Sequence, residues 1–92
     1  MKMTKLPISV CIIAKNEQKY IGNCLKALRR YPWEIIVVDT GSIDDTRQIA
    51  TRYADKVYDF AWIDDFSAAR NFAAAQASNN WILVLDCDEY LT

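Results

Sequence analysis

The chain has 92 residues, of which 52% are apolar and 25% are charged, and its formal net charge is -1. This length allows one small domain, and the composition is that of a globular protein. The charge lacks the basic excess of nucleic-acid-binding proteins, so no nucleic-acid partner is expected. No apolar run approaches the ~20 residues of a membrane span, and the amino terminus lacks the apolar core of a signal peptide. We therefore expect a cytoplasmic protein without a membrane span.

The chain contains no histidine and three cysteines, Cys11, Cys24 and Cys87. The absence of histidine excludes Ser-His and Cys-His catalysis within this stretch. The cysteine spacing matches no zinc pattern, so we predict that all three are small buried hydrophobic residues.

Four short apolar runs predict β-strands at residues 8–14, 34–39, 56–60 and 81–86. All but the third are apolar on both faces, as parallel strands covered by helices are. The third contains polar residues, which is typical of an edge strand.

Three helical patterns lie between these strands. Asn16 is a predicted N-cap of the first helix, and Ser42 with Asp45 has capping-box spacing at the start of the second. The third pattern covers residues 66–78 and is rich in alanine. The predicted inward faces contain Tyr20, Ile21, Cys24, Leu25 and Leu28 in the first helix, Ile49, Ala50, Tyr53 and Ala54 in the second, and Ala69, Phe72, Ala73 and Ala77 in the third.

The alternation of strands and helices predicts right-handed crossovers and a parallel sheet. The fold class is therefore α/β, as a Rossmann-like half with helices on both faces of the sheet. Ligands of such sheets bind beyond the carboxyl ends of the strands.

Polar residues follow three of the predicted strands at that edge. Asp86 and Asp88 follow the fourth, and hard cations such as Mg²⁺ prefer such carboxylates together with substrate phosphates. Alternatively, they are solvated turn acids. Asp39 ends the second strand, where it can accept hydrogen bonds from a ribose or a base, or cap the next helix. Asn16 and Glu17 follow the first strand, where a helix start alone explains them.

Arg70, near the start of the third helix, can be a solvated residue or a partner for phosphate. The sequence contains neither G-x-G-x-x-G nor G-x-x-x-x-G-K-[ST]. Dinucleotide-binding and P-loop motifs are therefore excluded.

The segments ISVCIIAKNE, EIIVVDTGSIDDT and DFSAARNFAAAQASNNWILVLDCDE resemble, in order and spacing, the family 2 glycosyltransferases. The resemblance covers nearly the whole chain and is strongest for the bacterial branch of lipopolysaccharide-core-type and repeat-linked transferases. It implies the GT-A fold with strand order 3-2-1-4, a nucleotide-sugar donor, with a UDP-sugar expected first, and Mn²⁺ or Mg²⁺ as cofactor.

The same resemblance implies roles for individual residues. It makes Asp88 the direct metal ligand of a D-x-D motif. Many relatives carry a second acid, which holds the base, where this chain has Thr40. The implied site residues are Ala14, Asn16, Glu17 and Asp39 at the nucleotide, Arg70 near it, and Asp86 and Asp88 at the donor and its metal.

The family's acceptor site and catalytic base are expected beyond residue 92, so residues 1–92 are predicted to form a single partial GT-A domain without the acceptor-binding half. We expect no sugar transfer by this chain alone, with acceptor and base unknown. Self-association through the fourth strand, apolar on both faces, is also expected. Two alternatives are a non-catalytic nucleotide-binding or interaction module and a haloacid-dehalogenase-like phosphatase. The second departs at Tyr90, where that family has a small residue.

Overall fold

The protein was analysed as a computed structural model that describes residues 8–61, 66–79 and 81–86. Four strands alternate with three helices in the described ranges. All strand pairs are parallel, and the order in the sheet is 3-2-1-4, as predicted. The elements are β1 (Ile8–Ala14), α1 (Gln18–Leu28), β2 (Glu34–Asp39), α2 (Thr46–Tyr53), β3 (Lys56–Asp59), α3 (Phe66–Ala75) and β4 (Trp81–Asp86).

Helices cover both faces of the central strands β1 and β2, which explains why the middle of each strand is apolar on both faces. One face packs against α1 and α2 through Ile21, Leu25 and Ala50, all fully buried. The other face packs against α3 through Ala69 and Ala73, whose small side chains allow a close approach. The predicted α/β class and the inward helix faces are confirmed, apart from Tyr20, which is 42% exposed.

Both predicted helix caps are wrong. Helix α1 begins at Gln18 with Glu17 as its N-cap residue, and α2 begins at Thr46 with Asp45 as its N-cap residue. Asn16 instead adopts a left-handed backbone conformation (φ 53°). Asn16 and Ser42 bond across the loops after β1 and β2 instead of capping their own helices, while Asp44 accepts from the Thr46 backbone N–H at the start of α2 (3.0 Å). Strand β3 and helix α3 are also shorter than predicted and end at residues 59 and 75.

Strand β4 lies at one edge of the sheet and is only partly covered. Leu83 and Leu85 pack against the core, whereas Trp81, Ile82 and Val84 are 67%, 43% and 37% exposed. The strand therefore presents apolar surface on the side that is expected to take part in self-association.

A polar network joins the amino ends of the strands. Glu34 accepts hydrogen bonds from the Ser9 hydroxyl (2.8 Å) and from the Ser78 backbone N–H and hydroxyl (both 2.9 Å). The ammonium group of Lys56 lies 3.1 Å from the same carboxylate. Burial raises the pKa of Glu34, but the hydrogen bonds from Ser78, Ser9 and Lys56 outweigh it and lower the pKa to about 2. The carboxylate is therefore charged and fully engaged in holding the fold.

A second polar group at this end links α1 to the sheet. Asp55 accepts hydrogen bonds from the Ile35 backbone N–H (2.7 Å) and from the Arg29 guanidinium (2.8 Å). Arg29 also donates to the Trp33 carbonyl oxygen at 3.0 Å.

Two of the predicted buried cysteines, Cys11 and Cys24, are buried and not disulfide-bonded, while Cys87 lies outside the described residues. Within those ranges, no helix has both the length and the apolar character needed to cross a membrane.

Candidate functional site

The carboxyl ends of the four strands lie side by side at one edge of the sheet. In the strand register, Asp59 of β3 is the neighbour of Asp39 in β2, and Asp39 is the neighbour of Ala14 in β1. On the other side, Asp86 of β4 is the neighbour of Ile13. This edge therefore brings together acids that are far apart in the sequence, and it is the edge at which ligands of such sheets bind.

The loops after β1 and β2 form one connected unit through Asn16. Its backbone N–H donates to the Ser42 hydroxyl (2.8 Å), and its side-chain oxygen accepts from the Ile43 backbone N–H (2.9 Å). Where the two loops leave the sheet, the backbone N–H of Thr40 donates to the Ala14 carbonyl oxygen at 2.9 Å. Asn16 makes its contacts with Ser42 and Ile43 from a left-handed backbone conformation. Asparagine tolerates this conformation better than most residues do.

Thr46 provides the second set of links between these loops. Its buried hydroxyl accepts from the Glu17 backbone N–H (2.7 Å) and donates to Asp44. Asp44 also accepts from the Gln18 backbone N–H at 3.3 Å. The slight burial of Asp44 raises its pKa, but the hydrogen bonds from Thr46 and Gln18 outweigh it, so the pKa is lowered and Asp44 stays ionised.

Asp39 is nearly buried, with 4% of its surface exposed. Its Oδ1 atom accepts a hydrogen bond from the Ser42 backbone N–H at 2.9 Å. The chain can turn back this sharply because Gly41 has a φ of 105°, a conformation that side chains disfavour. The carboxylate is therefore held in a fixed orientation at the end of the central strands.

An open cleft of about 560 Å³ lies between the ends of β2 and β3. One wall contains an ion pair, in which the Arg47 Nε–H donates to the Asp59 carboxylate at 2.7 Å. The ring of Phe60 packs against Phe72 of α3, with 5.0 Å between ring centroids. The cleft is lined by Asp39, Gly41, Ser42, Arg47, Asp59, Phe60 and Ala61.

The cleft lining contains two carboxylates, Asp39 and Asp59, and one guanidinium, Arg47, so its negative charge is only partly offset. Asp39 and Asp59 are direct neighbours on adjacent strands, a position in which like charges repel each other. Arg47 offsets this repulsion. The hydrogen bond and the charge of Asp59 raise the pKa of Arg47, and the charge of Asp39 adds to the effect. The cleft thus offers carboxylate acceptors, guanidinium donors and an aromatic ring.

The residues predicted for the site have different outcomes. Asp39 lines the cleft, and Ala14, Asn16 and Glu17 lie in the adjoining loop unit. Arg70 is exposed on α3 and is not among the described lining residues.

The metal prediction is not tested by the described part of the chain. Asp86 ends β4 at the correct edge, while Asp88 lies outside the described residues. Among the residues that the structure describes, no group of three metal-ligating side chains occurs. The two carboxylates stay a prediction.

Arg47, Asp59 and Phe60 line the cleft but were not predicted as site residues from the sequence. A signal for Asp59 was present, because it ends the third strand just as Asp39 ends the second. No local pattern distinguishes Arg47 from the other arginines, since its place depends on where α2 begins.

Comparisons with known proteins agree with this geometry. Residues 9–92 match the glycosyl transferase family 2. The chain is 48% identical over 84 residues to a TPR repeat-containing protein of Synechococcus elongatus, covering 91% of this chain and 21% of that protein. It is 35% identical over 91 residues to the lipopolysaccharide core biosynthesis glycosyltransferase LpsC of Rhizobium meliloti, covering 95% of this chain and 33% of that protein. The chain thus spans between a fifth and a third of the length of these relatives.

Two solved structures share the fold. One is the glucosyl-3-phosphoglycerate synthase of Mycobacterium tuberculosis in complex with Mn²⁺, UDP and glucosyl-3-phosphoglycerate (TM-score 0.77, 24% identity, 90% of this chain and 34% of that chain). The other is the mannosyl-3-phosphoglycerate synthase of Rubrobacter xylanophilus (TM-score 0.79, 21% identity, 95% of this chain and 32% of that chain). These similarities confirm the expected GT-A arrangement of the sheet. Because the family match extends over nearly the whole chain, this protein belongs to glycosyl transferase family 2.

Proposed function

We propose that this chain is the donor-binding part of a glycosyltransferase, and that the cleft beside Asp39 takes the nucleoside of a nucleotide-sugar, with UDP-sugars as the donor class. The observation that carries the proposal is the nearly buried Asp39 carboxylate in an open cleft at the carboxyl edge of the sheet. A carboxylate can only accept hydrogen bonds, so it suits the N–H of a base or the hydroxyls of a ribose. The ring of Phe60 provides a surface on which a base can stack.

Mn²⁺ or Mg²⁺ is the proposed cofactor, with Asp86 and Asp88 as the residues that would hold it. These two carboxylates suit such a cation, because hard cations prefer carboxylate oxygens as ligands and Asp86 ends β4 at the same edge as the cleft. The solved glucosyl-3-phosphoglycerate synthase that shares this fold contains both Mn²⁺ and UDP. When bound, the cation supplies positive charge that offsets the charge of a sugar diphosphate.

Sugar transfer itself requires more than the donor site. The acceptor oxygen forms a bond to the anomeric carbon, the bond from that carbon to the diphosphate breaks, and the acceptor proton passes to a base. Three acids at this edge have other roles: Asp44 connects the loops, Asp59 pairs with Arg47, and Asp39 is assigned to the nucleoside. The resemblance places the family's catalytic base beyond residue 92. We therefore propose that the chain binds the donor but does not transfer its sugar alone, the acceptor being unknown.

The phosphatase alternative is set aside by the family membership and by the position of Asp86 on the fourth strand rather than the first. Self-association through β4 stays a prediction, supported by the exposure of Trp81, Ile82 and Val84. Sedimentation at tens of micromolar, with Val84→Lys as the variant, tests it. A monomer before mutation contradicts it.

The nucleotide proposal is tested by calorimetric titration of the chain with UDP, with and without Mn²⁺. We expect Asp39→Asn to lower UDP affinity about tenfold, since a charged acceptor facing an N–H or O–H is lost. Asp88→Asn should remove the contribution of Mn²⁺ while leaving uridine binding unchanged.

The matched control is Asp45→Asn, the same chemical change at an exposed residue outside the cleft lining. It should leave UDP affinity unchanged. Absence of UDP binding by the unmutated chain, or equal losses for Asp39→Asn and Asp45→Asn, contradicts the proposal.

A further inference from the structure

The fold explains a cation at Arg47 only in part, because Arg47 offsets the repulsion between Asp39 and Asp59 but occupies an unfavourable place in its helix. It is the second residue of α2, at the positive end of the helix dipole, where a positive charge is unfavourable. Its ion pair with Asp59 joins side chains that are 53% and 65% exposed. Pairs this exposed to solvent contribute little to stability. A residue that breaks a local rule at a cleft points to a role in binding.

The guanidinium group of Arg47 is oriented by Asp59. Only the Nε–H takes part in the 2.7 Å hydrogen bond, and the terminal amino groups carry the other donors of the fork. Asp59 is fixed in turn, because it lies at the end of β3 in register with Asp39. Both ends of the ion pair therefore belong to elements whose positions the sheet determines.

Asp39 and Arg47 together determine which pattern of hydrogen-bond donors and acceptors a ligand must present to bind between them. Both residues line the same cleft. Asp39 only accepts hydrogen bonds and Arg47 only donates them, so a matching ligand must present a donor beside an acceptor. The imino N–H and adjacent carbonyl of uracil or guanine have this pattern. Cytosine also has a donor beside an acceptor, its amino group beside the ring nitrogen, but this pair lies one position further along the base edge. In the placement that suits uracil, the ring nitrogen of cytosine therefore faces the carboxylate, and two acceptors meet without a proton between them.

We propose that Arg47 contacts the base carbonyl of the bound nucleotide, that Asp59 is its positioning residue, and that with Asp39 they select bases having an imino N–H beside a carbonyl over cytosine. This inference rests on the proposed nucleotide-binding function of the cleft. It gives the Arg47–Asp59 pair a part in base selectivity. Thr40 does not supply this selectivity, because the side chain and the backbone N–H of Thr40 both donate to the Ala14 carbonyl oxygen.

The test compares UDP with CDP, which differ only in the base edge. We expect Arg47→Met to lower UDP affinity about tenfold and to change CDP affinity little, so that the UDP-to-CDP affinity ratio falls toward one. Arg47→Lys keeps the charge but not the fork, and should lie between. The matched control Arg52→Met removes an exposed arginine from the last turn of the same helix and should leave the ratio unchanged.

The positioning role of Asp59 has its own readout. Asp59→Asn should lower the UDP-to-CDP ratio by a smaller factor, and Asp59→Glu should restore part of it. In an Arg47→Met background, Asp59→Asn should have no further effect, because the group that it orients is gone. A purely structural role moves the unfolding midpoint but not this ratio.

The outcomes separate this inference from the function on which it rests. If Arg47→Met keeps the unmutated UDP-to-CDP ratio while Asp39→Asn loses UDP binding, the nucleotide site stands and the role of Arg47 is overturned. If Asp59→Asn leaves the ratio unchanged, its positioning role is overturned. If the unmutated chain binds CDP as tightly as UDP, base selection fails, and if it binds neither, both proposals fail.

Discussion

The two ends of the sheet use similar groups in different ways. At the amino end, Glu34 and Lys56 form an ion pair, and the carboxylate is also bonded to Ser9 and Ser78. At the carboxyl end, Arg47 and Asp59 form an ion pair that faces an open cleft. The Glu34 side chain is 15% exposed and the Asp59 side chain 65%.

Under the proposed function, this difference separates stability from binding within one sheet. Polar groups that are buried and fully hydrogen-bonded hold neighbouring elements together, and their loss leaves other buried groups unpaired. Polar groups beside a cleft contribute little to the fold and can exchange solvent for a ligand. Substitutions of the engaged Glu34 and of the cleft-facing Asp59 should therefore affect different measurements.

The largest expected effect is that of Glu34→Ala. It removes the acceptor of four donor groups and should lower the free energy of unfolding by about 2–3 kcal/mol. UDP affinity should not change. Urea unfolding measures the stability and calorimetry measures the UDP affinity. Asp59→Asn is the comparison variant, and its free energy of unfolding should change by less than about 0.5 kcal/mol. Equal destabilisation by both variants would remove the distinction between the two ends.

The next effect is a pH dependence that originates at the amino end. The Glu34 pKa falls from its usual 4.5 to about 2 in the folded protein, so the folded state favours the charged form. Its contribution is complete above pH 4.5 and is lost as the pH falls toward 2. After allowance for solvent at the sheet edge, we expect about 1–2 kcal/mol from this group. Urea midpoints of the unmutated chain and Glu34→Gln should converge across this window, and a constant difference would contradict the assignment.

An effect of similar size is expected from Asn16, which connects the loops at the carboxyl end. Asn16→Ala removes the hydrogen bond to the Ile43 backbone N–H and places alanine at a φ of 53°, which together should cost about 1–2 kcal/mol. Asn16→Gly removes the hydrogen bond without the strain, so it should cost less. Equal losses would show that backbone conformation is unimportant here.

The smallest effect is expected from Arg29→Met at the amino end. Its ion pair with Asp55 joins side chains that are 37% and 42% exposed, so the loss should be about 0.5 kcal/mol. Arg47→Met should change the stability as little as Arg29→Met does. Of these two variants, only Arg47→Met should lose the selectivity for UDP over CDP. If Arg29→Met also lowered the UDP-to-CDP ratio, the effect of Arg47 would not be specific to the cleft.

Strands β1, β2 and β4 could be predicted from the sequence because each contains a continuous apolar run. The bounds of β1, β2 and β4 agree with the prediction, and the family resemblance supplied their order. The helix starts could not be predicted from local signals. Asn16 and Ser42 look like caps in sequence, but they bond to each other's loops across 26 and 27 residues. Tertiary partners at that distance override the local preference.

The candidate site was predicted only in part, for a related reason. Asp39 could be identified because it ends a strongly apolar strand. Asp59 ends a mixed strand, so its polarity was interpreted as that of a sheet edge. Arg47 reaches the cleft only because α2 begins at Thr46 rather than at the predicted box. The role of Asp88 rests on the family resemblance and stays a prediction.

The links between the loops after β1 and β2 have a consequence for the entropy of ligand binding. Ordering a flexible loop costs about 1–2 kcal/mol per residue in lost backbone freedom, and a ligand that orders it loses that much affinity. Here Asn16 and Thr46 already hold both loops through hydrogen bonds to each other. Under the proposed function, a nucleotide that enters the cleft therefore meets loops whose freedom was lost during folding, so its binding does not have to order them.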